Sequence, residues 1–242
     1  MAKKVGSRAE SIGIASLKAE IVWLCVPDAA ISGVAKSLAD RGAWKGKIAL
    51  HSSGALTSNV LLPLRCNGAA VASLHPLMTF VKGSRASLAG VPFAIEGDAA
   101  GVRAARKIVR DLAGHPFSIG KRDKAAYHAW GTFLSPLLTA LLAASERVAA
   151  AAHVPAKEAR RRMLPIVAQT VANYIGMGAE RGFSGPMVRG DVDVVQKHLR
   201  ALRVVPEARE VYVALARAAV KYLPGKNRAG MRKALRQRIA RL

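Results

Sequence analysis

Apolar positions in the first half of the chain fall into short runs separated by helical patterns. Residues 21–26 (IVWLCV) form an uninterrupted apolar run rich in β-branched residues and ended by Pro27, which predicts a buried strand. Asp28 then reads as the cap of a helix in which Ala29, Ile31, Val34, Ala35 and Leu38 make one apolar face, with Gly42 as the stop. Further strands are expected at 47–52 (KIALHS), 69–74 (AAVASL), 92–98 (PFAIEGD) and 115–119 (HPFSI). Between them the pattern predicts a short helix over 57–65 and a longer one from an Asp98 cap to about Leu112. Strands and helices alternating at this spacing predict an α/β fold with a parallel, helix-covered sheet and right-handed crossovers.

After Gly120 the strand signal stops. Helical patterns run through 122–153, 156–177, 191–203, 206–222 and 227–241, punctuated by Pro155, Gly185-Pro186, Pro206 and Pro224-Gly225. The predicted organisation is therefore a sheet domain over 1–120 and an all-α domain over 121–242. Within the second, residues 125–145 carry no Lys, Arg, Asp or Glu and are long enough to span a bilayer. Interior polar residues, frequent Ala and the following Glu146 and Arg147 favour a buried core helix over a membrane span.

The 242 residues carry a formal charge of +23, divided as +8 over 1–120 and +15 over 121–242. Such a charge bears on solubility and anionic partners rather than on fold. Because both halves are basic, a general surface bias is a better explanation than nucleic-acid binding, although 211–242 holds nine basic residues and no acidic one. Cys25 and Cys66 lie in apolar segments and are expected as buried reduced thiols, consistent with a cytoplasmic protein. No CxxC, HExxH or His/Cys cluster points to a metal, and no GxSxG elbow points to a Ser-His hydrolase.

In open α/β sheets, ligands bind at the carboxyl ends of strands. Here those ends carry Val26-Pro27-Asp28, then Ser52-Ser53-Gly54, then His75-Pro76. The serines and the glycine permit close backbone approach and offer donors to a carboxamide or carbonyl, while a hydrogen-bonded loop histidine is the plainer account of His51 and of His75. Lys124 and His128, four residues apart, share a face at the start of the long apolar helix. A proton donor beside a hydride acceptor is what carbonyl or imine reduction requires; simple exposure at a helix start is the alternative. Arg189, in the tight loop before Asp191, could hold a substrate carboxylate, and Asp191 is placed to cap the next helix.

The segments VPDAAI, HSSGAL, ASLHPLMTF, KRDKAAYHAWGTF and GFSGPMVRGDVDVVQKHL, in this order, resemble the Rossmann-like oxidoreductases whose C-terminal part is domain of unknown function 2520 (DUF2520). That family is similar in layout to pyrroline-5-carboxylate reductase and the β-hydroxyacid dehydrogenases. The resemblance spans roughly residues 7–222 and implies a Rossmann-like sheet followed by a helical domain of the 6-phosphogluconate dehydrogenase C-terminal-like type, which usually dimerises. It implies NADP or NAD as cofactor, a small-molecule carbonyl or imine substrate, and Lys124 as the residue assisting proton transfer, with His128 next along the same face. Ser7 and Arg8 match the place where such proteins meet the 2′-phosphate of NADP.

One departure is plain: no GxGxxG occurs in the chain. About one βαβ element, on the order of 40 residues, is expected to be missing ahead of Ser7, through a late start assignment or a true loss. Those glycines let backbone touch the pyrophosphate at a helix N-terminus. The expectation is therefore an oxidoreductase with weakened dinucleotide binding, or a non-catalytic dimeric relative that has lost it.

Overall fold

The computed structural model describes residues 6–84 and 86–236, and the chain divides into two compact units, 1–135 and 136–242. The dividing point lies beyond the change of texture at Gly120, because the turn at 121–123 and helix α4 (Lys124–Thr132) remain with the sheet, held there by buried Lys124 and Tyr127.

The first unit is built on five strands in sequence order: β1 (Ile21–Leu24), β2 (Ile48–His51), β3 (Ala70–Pro76), β4 (Pro92–Gly97) and β5 (His115–Ser118). Helices α1 (Asp28–Ala39), α2 (Leu62–Cys66, after a 3-10 turn at Ser58–Leu61) and α3 (Ala99–Asp111) connect them. β1, β2 and β3 pair in parallel, as do β4 and β5. The β3–β4 pair is antiparallel, which corrects the wholly parallel sheet expected from sequence. The reason lies in the connections. The described residues of 77–91 form no helix to carry the chain back across the sheet, and β4 returns beside β3 in the opposite direction.

Two apolar layers cover the sheet. Ile31, Ala35 and Leu38 of α1 join Leu24, Ala49, Val71 and Trp44, whose indole Nε1 donates to the Leu38 carbonyl at 3.0 Å. Ala105 and Val109 of α3 pack with Leu50, Leu74, Phe93 and Ile95. Gly97, at φ +146°, and Gly101 sit where α3 meets β3: a Cβ on Gly97 would lie 2.3 Å from the Val71 carbonyl oxygen.

Several local expectations need correction. Neither Asp28 nor Asp98 caps a helix through its side chain. Asp28 is the first residue of α1 and accepts from Ser53 Oγ at 2.6 Å. Asp98 accepts from Val71 N and pairs with Arg65 at 3.1 Å. Asp191 likewise makes no side-chain cap and pairs with Arg189 instead. Cys25 and Cys66 are exposed rather than buried, because each follows the inward-facing positions of its element and turns outward.

The second unit is helical: α5 (Leu138–Ala151), α6 (Ala156–Gly182, broken at Gly178 with φ +76°), α7 (Pro186–Arg189), α8 (Val192–Ala201), α9 (Pro206–Tyr222) and α10 (Arg228–Arg236). Its core is Val195 and Leu199 of α8 against Ala216 and Val220 of α9 and Met231 and Leu235 of α10. The helical run Lys121–Ala151, with a π-helical segment at Phe133–Leu137, is long and apolar enough to cross a membrane. The buried core helix expected here is not observed. Trp130, Phe133, Leu134 and Leu137 are 51, 68, 53 and 46% exposed. Within its own unit, a helix contacts its neighbours along one stripe, so an all-round apolar helix keeps uncovered faces.

Candidate active site

β2 ends at His51, which the register places beside Ser73, three residues before β3 ends at Pro76. Ser73 in turn lies opposite Glu96 of β4. A row of polar residues, His51, Ser73 and Glu96, therefore crosses the sheet near the carboxyl ends of β2 and β3, and all three are buried. Buried polar groups are tolerated when each finds a partner, and each does here. Glu96 accepts from Ser58 N at 2.6 Å and Ser58 Oγ at 2.7 Å. His51 Nδ1 accepts from Ser53 N at 3.1 Å, which leaves the proton on Nε2 for the Thr57 carbonyl at 3.2 Å. Burial, then the Lys124 charge, lower the His51 imidazole to about 4, so it is neutral near pH 7. His51 is a structural member of the row.

Lys124 enters this row from the first turn of α4. Only 1% of it is exposed, and its Nζ donates to the Ser53 carbonyl at 2.9 Å and to Ser73 Oγ at 2.5 Å. Burial lowers its ammonium to about 8, opposed by the charges of Glu96 and Asp28. A lysine in this state exchanges a proton readily near neutral pH, as an acid–base group must. This is far from the exposed helix-start lysine that composition alone would allow.

One turn along, Tyr127 is buried, with its Oη 3.0 Å from His75 Nδ1. Burial pushes the Tyr127 phenol up to about 12. Burial, followed by the charges of Lys124 and His128, lowers His75 to about 4. His128 is exposed and meets His75 edge to face at 6.1 Å between centroids. Gly54 packs directly against both rings: a Cβ there would lie 2.7 Å from His75 Nε2 and from His128 Cδ2. The glycine is required by this close approach, not by its backbone angles.

The structure thus brings Asp28, Ser53, Gly54, His75, Lys124 and His128 into one connected cluster. Ser52 stands beside it with its Oγ accepting from Trp23 Nε1 at 2.8 Å. Val26 and Pro27 are exposed just past β1, and Pro76 is half-buried at the end of β3. Ser7 and Arg8 are exposed on the irregular segment before β1. Arg189 belongs to the helical unit, where its Nε donates to Asp191 at 2.7 Å, so its guanidinium already has a carboxylate partner. Ser73, Glu96, Ser58 and Tyr127 were not singled out from sequence. The legible signal was Glu96, a lone carboxylate inside the apolar strand PFAIEG, since an unpartnered charge is rarely buried.

The nicotinamide cofactor implied by the sequence fits this unit in part. The ends of β1 and β2 offer exposed Val26, Pro27 and Asp28 beside Ser52 and Ser53, suited to a carboxamide. No GxGxxG, the motif whose backbone holds a pyrophosphate, occurs within these 242 residues.

Comparison with known proteins places these features in context. A family model described as domain of unknown function (DUF2520) matches residues 91–219, and a Rossmann-like domain model matches residues 7–76. No curated protein matches the chain. Among solved structures, a candidate NADP oxidoreductase from Bacteroides fragilis superposes with a TM-score of 0.72 at 19% identity, covering 90% of this chain and 82% of that one. A Thermotoga maritima protein superposes with a TM-score of 0.68 at 25% identity, covering 90% and 81%. A reductive aminase from Aspergillus terreus, in complex with NADPH and ethyl-5-oxohexanoate, reaches 0.57 at 17% identity, covering 84% and 74%. These likenesses establish a shared fold: a Rossmann-like, mainly parallel sheet followed by a helical region.

Proposed function

The chain belongs to the DUF2520 family, with a Rossmann-like domain ahead of that region, and from this premise we propose that it is an NAD(P)-dependent oxidoreductase acting on a small carbonyl or imine. The observation that carries the reading is Lys124: a buried amine of lowered basicity, fixed at the ends of β2 and β3 by Ser53 and Ser73. A bound nicotinamide would supply or accept the hydride in such a reaction.

The chain's own residues would manage the proton. The Ser53 carbonyl and Ser73 Oγ aim Lys124 Nζ, and Glu96 and Asp28 keep enough negative potential nearby to hold it protonated at neutral pH. His128, exposed beside His75, would face solvent and return the proton. Neutral His75, tied to Tyr127, would present Nε2 toward substrate along with Pro76. Val26, Pro27, Asp28, Ser52, Ser53 and Gly54 would meet the cofactor's nicotinamide end, and Ser7 and Arg8 a 2′-phosphate. Arg189 would contact an anionic substrate group only by leaving Asp191.

We place the protein in the cytoplasm as a homodimer. The start of the Lys121–Ala151 run is anchored in the sheet unit by Lys124 and Tyr127, which disfavours a membrane location. Exposed Leu164 and Ile175 share one side of α6 and offer apolar surface to a second copy, while exposed Ile166 and Tyr174 lie on other sides. A second reading is a dimeric protein of this fold that does not bind dinucleotide, since no GxGxxG occurs within these 242 residues.

Fluorescence titration with NADPH separates the two. Micromolar binding supports the oxidoreductase, and no binding up to millimolar NADPH leaves the second reading. In a binding-competent form, Lys124→Met lowers NADPH oxidation with ethyl-5-oxohexanoate or a related small ketone or imine by about 100-fold or more. Unchanged turnover removes Lys124 from the mechanism. Circular dichroism should verify that the variant folds, since the substitution takes the amine from the Ser53 carbonyl and its charge from near buried Glu96.

A further inference from the structure

Helices α9 and α10 enclose a cavity of about 310 Å³ lined by Arg217, Lys221, Arg232 and Arg236 over an apolar floor of Val220 and Leu235. The four cations come as two pairs, each separated by four residues on one helix, so like charges stand one turn apart on both walls. Such pairs destabilise a helix. Opposite charge does not relieve them: there is no Asp or Glu anywhere from residue 211 to 236, and among the described residues none of the four makes an ion pair. One of the four is held in place by a hydrogen bond. Arg217 donates to the Leu235 carbonyl at 2.8 Å, joining the two helices at the cavity, while buried Val220, Met231 and Leu235 set the helix spacing.

We propose that this cavity is a binding site for a small phosphorylated molecule, separate from the Lys124 cluster. Guanidinium groups match phosphate oxygens by paired hydrogen bonds, and an ammonium adds a point charge. A dianionic or more highly charged phosphate would cancel the repulsion that the empty arrangement leaves standing. The site is concave and has an apolar floor, which suits a compact ligand with an organic portion better than an extended polymer backbone lying on a flat basic face. Helix α10 lies outside both family-model matches, so the site is not a feature those matches account for.

The test uses the full chain and inorganic pyrophosphate at constant ionic strength. Pyrophosphate should raise the unfolding midpoint saturably, with an affinity that falls at least tenfold in Lys221→Gln/Arg232→Gln. Both positions are exposed, so the fold should persist, as circular dichroism can verify. Arg217 is left intact because it holds α10. Lys226→Gln, in the same basic stretch but not lining the cavity, should bind as the parent does. An equal loss in Lys226→Gln, or a midpoint shift that chloride reproduces, would overturn the proposal in favour of general charge screening. So would binding of a DNA or RNA duplex, lost with rising salt, without any response to pyrophosphate.

Discussion

The two units handle apolar surface in opposite ways. In residues 1–135, Trp44 and Phe93 are each 1% exposed, closed between sheet and helices of the same unit. In residues 136–242, Leu164, Ile166 and Ile175 on α6 are 67, 69 and 78% exposed. A sheet covered on both faces completes a core from one chain, whereas α6 leaves large apolar side chains uncovered on more than one side. The chemistry divides with the packing. Buried polar groups with lowered basicity cluster in the sheet unit, where a rigid apolar surround can hold them, and the helical unit supplies open apolar and basic surfaces.

Truncating the two kinds of apolar residue should expose this difference most strongly. Trp44→Ala should cost about 3–5 kcal/mol in denaturant unfolding, through lost burial and a cavity. Ile175→Ala should cost less than about 0.5 kcal/mol in dilute protein, and Ile175→Gln should shift sedimentation toward monomer. Equal costs at the two positions would dissolve the contrast.

Acid should next distinguish the polar row. Folding lowers His51 and His75 from their ordinary value of 6.5 to about 4. The unfolded chain therefore binds more protons between these limits, and stability falls as pH drops from about 6.5 to about 4. The His51 contribution should reach about 3 kcal/mol, and His51→Gln should flatten that part of the pH–stability curve. Lys124 acts at the other end. Its value is lowered from 10.5 to about 8, so stability rises with pH across that window. The smallest effect should come from Asp191→Asn. Its partner Arg189 is exposed, and the loss should stay under about 0.5 kcal/mol by the same unfolding assay.

The order of elements was legible because each strand is a short apolar run between helix signals, as at Ile48–His51 and Pro92–Gly97. The direction of β4 was not, because apolar periodicity carries no sign. It follows instead from the described residues of 77–91, which form no crossover helix. Asp28, Asp98 and Asp191 sit where caps belong, yet tertiary partners took the first two carboxylates and Arg189, two residues before, took the third. Lys124 and His128 could be paired by helical spacing, and Ser53, Gly54 and His75 by strand ends. Ser73 and Glu96 could not be joined to them, since their adjacency rests on strand register. The openness of the Lys121–Ala151 run was equally hidden, because apolar composition fixes what a surface avoids and not what covers it.

The central claim is that Lys124 is a buried amine poised near neutral pH. NMR titration of the lysine Nζ resonances, assigned with Lys124→Met, tests it without substrate or cofactor. One lysine should titrate near 8 and be absent from the variant. Titration of Lys124 at its ordinary value of about 10.4 would contradict it.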